Sequence, residues 1–410
     1  MTKQKEAPKG APTAHTSTWS YLSEAGAPIV IIGFMTFSVL LFYLMPNPTI
    51  SSLSIYSSFF FLQLFLSYII PGQYSKGLVL ADGTQEVYLC NGLRCYLITI
   101  AIFFLGGFLK LWNLGLAYDN LLPLVSTSNY FAWASWLYIY IKGLSSPKRE
   151  PTEGVLNDIW YGIELNPKMF GSDCTLFFDG RVSLIGVVMV GLSYACKQYE
   201  LAGYISTPML LFTAFFSIYM FDFFWFEDHF ITTFDVAYEK FGWMLTWGDT
   251  VWMPFFCNLT GYFLVEDYRY EQPKWQIALI VIIWVSGYIF ARIANAQKDA
   301  FKRDPSKKTF FYGLIKQDYI SADEGKKVLS SGLWSLSRHP NYFGELANSL
   351  AMCLPGGITH SIFSFGYTIF IWALLITRFE RDDRKCNNKY KQAWKEYSRR
   401  TPYKIVPYLY

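Results

Sequence analysis

The run from Leu329 to Ile376 reads LSSGLWSLSRHPNYFGELANSLAMCLPGGITHSIFSFGYTIFIWALLI. Its apolar part, from Tyr342 to Ile376, is about 35 residues long, more than one helix rising about 1.5 Å per residue needs to cross about 30 Å of hydrocarbon. Pro355-Gly356-Gly357 interrupts it near the middle, so the run reads as a tight hairpin of two spans. In front of it Arg338, His339, Asn341 and Tyr342 place a guanidinium, an imidazole, a carboxamide and a phenol within five residues at the start of a span. Pro340 suits the first helical turn, where its missing N–H costs nothing.

The whole chain fits a membrane setting. Of its 410 residues 52% are hydrophobic, 20% aromatic and only 16% charged, against about 25% charged in an ordinary soluble domain. Besides the hairpin, apolar runs at about 27–45, 56–70, 95–112, 122–141, 182–196, 205–225, 243–265 and 275–294 read as spans. The expected fold is therefore an all-α polytopic membrane protein of about ten transmembrane helices. Residues 1–22, rich in Lys, Pro, Ala and Thr, read as a disordered basic tail and not a cleaved leader; 23–410 read as one transmembrane domain.

Basic residues order the two faces. Lys3, Lys5 and Lys9, then Lys142, Lys148 and Arg149, then Lys298, Lys302, Arg303, Lys307 and Lys308, and finally the basic C-terminal tail all fall on one side of a ten-span chain. That side is expected to be cytosolic, in an endoplasmic reticulum membrane for a eukaryote or an inner membrane for a bacterium. Polar residues at 164–168, 226–240, 298–308, 338–342 and 378–384 then gather at one mouth.

Arg338 suits a phosphate, because its planar fork donates two hydrogen bonds at once; snorkelling to lipid headgroups is the plainer reading of the same residues. Lys298 and Lys302 share a helix face that suits an extended phosphate, and Arg378 and Asp382 share another. Tyr219, Asp222, Glu227, Asp228, His229 and Asp235 crowd the exit of the sixth span, and Asp249 lies inside the seventh. A carboxyl inside a membrane is costly, which makes Asp222 and Asp249 functional candidates. The seven cysteines form no CxxC pair, and no metal site, disulfide framework or nucleic-acid partner is expected. No GxGxxG, GxxxxGK[ST] or HExxH is present, so soluble nucleotide-binding designs have no support.

In combination, GIELNPK, FFDGRVSLIGVVMVGLSYACKQYE, FDFFWFEDHFITTFDVAYEKFGWMLTWGDTVWMP, ARIANAQKDAFKR, LSSGLWSLSRHPNYFGE and DDRKCNNKYKQAWKEYSRRTPYKIVPYLY resemble the sterol reductase family. The resemblance runs in order from about the fourth span to the C-terminus. Within the family, DFFWFE with FGWMLTWGDTVW, and so Trp243 and Trp247, look most like the 7-dehydrocholesterol reductase branch, whereas KRDPSKK and Pro340 look more like the Δ14-reductases. Glu345 departs from the family, which usually has Asp after NYxG.

The resemblance implies an NADPH-dependent reductase of a sterol double bond with a C-terminal cofactor-binding half at about 240–410, acting most of all on the Δ7 bond of a 5,7-diene, with Δ14 or Δ24 as alternatives. Carried onto this chain, the positions near the dinucleotide are Lys298, Lys302, Trp334, Arg338, His339, Asn341, Tyr342, Arg378, Asp382, Lys389 and Tyr390. An isolated alkene accepts hydride poorly, so a proton must arrive first or together with it. Tyr219, Asp222 and Asp249 are the candidate acids, left in no order, and the aromatic sixth and seventh spans suit a flat apolar sterol and a developing cation.

Two other classes compete. Isoprenylcysteine carboxyl methyltransferases share an RHPxYxG helix start but are shorter and lack TWGDTVW and AQKDAFKR. A non-enzymatic sterol-binding membrane protein is the remaining alternative. The expected partners are a sterol and the lipid bilayer; oligomeric state is not legible.

Overall fold

The computed structural model describes residues 26–79, 83–150, 154–357 and 362–410. The expected tail at 1–22 lies outside them. Helical elements occupy every apolar run named above: α1 (Gly26–Leu44), α2 (Ile50–Ile69), α3 (Gly92–Phe108), α4 (Leu121–Leu144), α5 (Leu176–Ala202), α6 (Thr207–Trp225), α7 (Trp243–Trp247), α8 (Leu259–Glu266), α9 (Lys274–Arg303), α10 (Pro340–Cys353) and α11 (Gly366–Tyr390). A last helix, α12, follows at Gln392–Arg400. Among the described residues five helices are long and apolar enough to cross a membrane, in α2, α5, α6, α9 and Ile362–Tyr390, and Val30–Leu44 and Gly92–Phe108 are shorter apolar helices. The protein is a helical polytopic membrane protein. Large apolar side chains such as Phe61, Phe65, Ile282 and Ile289 face outward, while Ser52, Gln63, Asn129 and Gln297 are fully buried. That inversion of a soluble surface is what a hydrocarbon solvent selects.

The described chain divides into two compact units, one of residues up to Ile205 with Phe216–Asn258, the other of Ser206–Phe215 with Leu259–Tyr410. In the first, small polar residues of α4 hold neighbouring helices. Thr127 and Ser52 hydroxyls are 2.8 Å apart, the Asn129 amide donates to Ser38 O at 3.0 Å, and Trp247 Nε1 donates to Asn129 Oδ1 at 2.9 Å. Each satisfies a polar group that lipid could not.

Several expected boundaries move, each for a local reason. The polar stretch after the second span is a β-hairpin, Gln73–Val79 with Gln85–Cys90, whose base Asn91 fastens to Ser67 O and Ile70 O at 3.0 and 2.8 Å. The third span ends at Phe108, not Trp112, because Trp112 folds back and donates to Phe103 O at 3.1 Å. Gly106 makes that return feasible: a Cβ there would lie 1.9 Å from the indole. The fifth span begins earlier than Val182, with a π-helical stretch over Leu176–Leu184.

The seventh span is not one helix. After α7 the chain is π-helical over Gly248–Phe256, with Pro254 inside it, and α8 starts only at Leu259. Proline donates no hydrogen bond and crowds the preceding turn, so the ladder loosens there. Asn258 secures the break by donating to Val187 O and Pro254 O at 3.0 and 2.7 Å.

In the second unit the 30 residues of α9 extend roughly 45 Å, more than the hydrocarbon thickness. Gly287, Ala291 and Gly344 let α9 and α10 approach closely; a Cβ on Gly344 would lie 2.6 Å from Gly287 O. The expected hairpin breaks where the sequence placed it, at Leu354–Gly356, and Thr368 and Trp372 of α11 donate to Ser349 O and Leu346 O of α10 at 2.8 and 3.2 Å. Two short antiparallel pairs, Thr309–Phe310 with Ile315–Lys316 and Tyr319–Ser321 with Lys327–Leu329, lead into the segment before Arg338.

Candidate active site

Arg338 and His339 stand at the N-terminus of α10, where their backbone N–H groups donate to Tyr403 O and Lys404 O at 2.9 and 3.0 Å. The C-terminal segment thus fixes the main chain on which the polar side chains are mounted. Arg338 Nη1 pairs with Asp383 Oδ1 at 2.5 Å, and its guanidinium lies 5.1 Å from the Phe379 ring. Trp394 Nε1 donates to the same aspartate oxygen at 3.2 Å. Tyr342 donates to Asp382 Oδ2 at 2.9 Å, and His339 Nε2 is 4.0 Å from that oxygen. The imidazole stacks on Tyr342 at 4.7 Å and meets Phe379 edge-on at 5.1 Å. Burial, then the positive charges of Lys298 and Arg338, push the His339 pKa well below its ordinary value.

Around this core lies a basic and aromatic rim. Lys298 Nζ sits 4.5 Å over the Trp334 ring, a cation–π contact, with Lys302, Lys389 and Asp382 close enough to act on its charge. Trp334 is fixed at both ends: Nε1 donates to Ala294 O at 3.0 Å and its carbonyl accepts from Tyr397 Oη at 2.6 Å. Gln297, buried beneath, donates to Lys316 O and Ser331 O and accepts from Leu333 N. Gly332 permits that approach, with φ of +64° and no room for a Cβ against the Gln297 amide. Lys389 lies 5.0 Å over Tyr390, which stacks on Trp394.

Of the eleven residues expected near a dinucleotide, Lys298, Lys302, Trp334, Arg338, His339, Tyr342, Asp382 and Lys389 are tied to one another by these contacts and charges. Asn341 is on the first turn of α10, Arg378 one turn before Asp382, and Tyr390 next to Lys389. The partners of Asp382 described here are Tyr342 and His339, so its role is wider than an i,i+4 pair with Arg378. Glu345 is half-buried on α10, within electrostatic reach of Tyr288. Three polar atoms in this cluster, Arg338 Nε, His339 Nδ1 and Asn341 Oδ1, are buried with no hydrogen-bond partner among the described residues. Asp383, Trp394, Tyr397 and Gln297 were not legible as members, because each acts by holding another residue.

The candidate acids belong to the first unit. Asp249 is 6% exposed in the π-helical turn after α7, and its Oδ2 has no hydrogen-bond partner among the described residues. Asp179 and Asp235 are the carboxyls that act on it electrostatically. Tyr219 and Asp222 are half-buried on α6. The stack Trp160–Trp243–Trp247, with 5.3 Å between neighbouring rings, borders α7. Nearby in sequence to Asp179, Arg181 forms a buried pair with Glu227 at 2.5 Å. Both charges of FFDGR went unread as a site, although two ionisable residues entering an apolar run are the signal that singled out Asp249. Two cavities of about 200 and 220 Å³ in this unit touch the Arg181 and Glu227 pair and none of the candidate acids: Glu227 lines the first with Arg94, and Arg181 the second with Glu86 and Asp173.

The model of the Ergosterol biosynthesis ERG4/ERG24 family matches residues 22–410. The chain belongs to this family of sterol reductases. Among its ERG4/ERG24 relatives, a Delta(14)-sterol reductase of Methylotuvimicrobium alcaliphilum is 37% identical over 366 residues, covering 88% of this chain and 84% of its own. A 7-dehydrocholesterol reductase of Danio rerio is 33% identical over 414 residues, 97% and 81% of the two chains, and a Delta(14)-sterol reductase of Arabidopsis thaliana 33% over 369 residues, 88% and 97%. Both ERG4/ERG24 names recur at similar identity, so identity alone does not select the double bond.

Proposed function

We propose that this protein reduces a carbon–carbon double bond of a sterol with NADPH, the dinucleotide being held by α9, α10 and α11. The observation that carries the reading is the cluster around Arg338, in which Arg338 Nε, His339 Nδ1 and Asn341 Oδ1 are buried with no hydrogen-bond partner among the described residues and Lys298 is close enough to His339 to act on its charge. Buried polar atoms are normally satisfied; cations and the free Arg338 Nε–H suit phosphates, and the Asn341 Oδ1 acceptor suits a ribose hydroxyl. Lys298, Lys302, Arg338 and Lys389 would hold the phosphates, and Trp334, Tyr342 and Tyr390 would flank the rings. When bound, the dinucleotide supplies a hydride.

The protein's own part is to protonate the alkene. Protonation at the less substituted carbon leaves a tertiary cation, so an acid is needed in a site with little water. Asp249, buried and with an unpartnered oxygen, is the first choice, ahead of Tyr219 and Asp222. The faces of Trp243 and Trp247 suit a developing cation. His339, kept neutral, contributes a donor or acceptor at the dinucleotide without adding charge.

The Δ7 bond of a 5,7-diene is the first reading of the substrate, on the Trp243 and Trp247 context; the Δ14 bond is the second, on the KRDPSKK and Pro340 context. The basic flanks support a cytosolic C-terminal half. Purified protein with NADPH and separate 5,7-diene, 8,14-diene and Δ24 sterols, with products read by mass spectrometry, tests the function. Reduction of none of them overturns it. Thermal stabilisation by S-adenosylmethionine but not by NADPH would move the chain to methyl transfer, because a ligand stabilises the state that binds it.

A further inference from the structure

Two nine-residue π-helical stretches, Leu176–Leu184 and Gly248–Phe256, pack against each other within the first unit. Each carries one aspartate in its first turn, Asp179 and Asp249. A π-turn departs from the regular i→i−4 ladder, is rare, and occurs frequently at functional sites. Two of them in contact, each presenting a carboxyl, form a built arrangement.

A second observation is independent of the carboxyl cluster. Asp249 Oδ2 lacks a partner, and so do the hydroxyls of Thr250 beside it and of Ser183 on the facing π-turn, both residues fully buried; all three statements hold among the described residues. Buried polar atoms are normally satisfied, and these three lie on two π-turns that pack against each other. The charged groups acting here are Asp179, Asp249 and Asp235 of the short helix Phe234–Ala237, with Arg181 acting on Asp179. Arg181 is already engaged, by Glu227 Oε1 at 2.5 Å and Asn91 Oδ1 at 3.0 Å.

We propose that Asp179 shares a proton with Asp249 and so keeps loaded the acid that protonates the double bond. The inference rests on the reading of Asp249 as that acid. Neighbouring carboxyls in a poorly solvated interior resist carrying two charges, so the pair holds one proton between them. In the step, the Asp249 O–H bond breaks and the alkene π electrons form a C–H bond to that proton. Hydride from the reductant closes the cation left on the neighbouring carbon. Asp249, now a carboxylate beside a second one, regains a proton from water by way of Asp179. Asp179 acts through Asp249 and is a positioning residue.

The test uses the full-length protein with NADPH and whichever diene it reduces, measuring kcat and KM from pH 5.5 to 9. Asp249→Asn is expected to lower kcat at least about 100-fold at every pH. Asp179→Asn is expected to leave KM and the thermal shift given by NADPH unchanged, to lower kcat about 10-fold, and to move the alkaline limb of the kcat profile about one pH unit or more downward. The limb moves because Asp249 loses the neighbouring negative charge that kept its proton in place; Asp179→Glu should restore it. An alkaline limb unmoved in Asp179→Asn, or an Asp179→Glu no different from Asp179→Asn, overturns the proposal. Should Asp179→Asn not fold, Asp235→Asn takes its place and must shift the limb the same way by a smaller amount; no shift overturns the proposal. Wild-type protein that reduces no sterol overturns the reductase reading itself, and full turnover by Asp249→Asn overturns the choice of acid, so the three failures are distinguishable.

Discussion

Two buried arginine–carboxylate pairs, one in each unit, differ in how completely they are enclosed. Arg181 and Glu227 are 3% and 4% exposed, the arginine also donates to Asn91 Oδ1, and Glu227 Oε2 accepts from Gly92 N at 2.7 Å. A Cβ at Gly92 would lie 2.4 Å from Arg181 Nη1, so backbone is pressed against the fork. Arg181 Nε also has no hydrogen-bond partner among the described residues, and Arg181 lines the cavity of about 220 Å³ with Glu86 and Asp173. Arg338 and Asp383 are 10% and 28% exposed, and unpartnered Arg338 Nε, His339 Nδ1 and Asn341 Oδ1 lie around them with Lys298 near. The first pair is the more fully enclosed of the two, and we read it as a structural pin and the second as the proposed dinucleotide site.

Breaking the closed pair should have the largest effect. Arg181→Met leaves Glu227 buried without its cation, which costs about 3–5 kcal/mol. Thermal unfolding in detergent should drop by roughly 10 °C. Glu227→Gln, which keeps a hydrogen-bonding shape, should lose less. Arg338→Lys attacks the open pair and should behave differently. The ammonium cannot reproduce a planar fork, so NADPH affinity should fall about 10- to 100-fold, while the unfolding temperature shifts by less than half as much as in Arg181→Met. If Arg338→Lys instead destabilises more than Arg181→Met with NADPH binding intact, the distinction between pin and site is wrong. Lys298→Met sharpens the point on the rim of the open site. It removes a cation 4.5 Å over Trp334, and the expected loss of NADPH affinity is about 5- to 30-fold by titration.

The apolar runs and the Pro355-Gly356-Gly357 break were legible because span length and helix-breaking residues act locally. So was most of the basic cluster, since Lys298 with Lys302, and Arg338 through Tyr342, are each close in sequence. What escaped was set by distant partners. Trp112 looks like span and turns back, because Gly106 leaves a slot for its ring. The π-turns at Leu176–Leu184 and Gly248–Phe256 have no periodic signature, since an apolar run looks alike in either helix type. Asp383 was passed over in favour of Asp382, four residues after Arg378, yet it is Asp383 that meets Arg338 across 45 residues.

The smallest effect concerns protonation in the open site. His339 is buried beside Lys298 and Arg338, with Asp382 Oδ2 at 4.0 Å as the one facing carboxylate among its described contacts, and its pKa lies well below the usual histidine value. The unfolded chain therefore binds a proton at this position first as the pH falls, near pH 6.5. Stability from the neutral imidazole is fully present above that pH and is lost as the pH drops toward the folded value, with a slope of at most about 1.4 kcal/mol per pH unit. Between pH 7 and 5.5 the unfolding temperature of the wild type should fall a few degrees further than that of His339→Gln, whose neutral amide does not titrate. Bound NADPH should shrink this difference, because phosphate charge near the imidazole makes its cation less costly. A difference that NADPH leaves unchanged would place the dinucleotide away from His339, and with it the open pair would lose its claim to be the binding site.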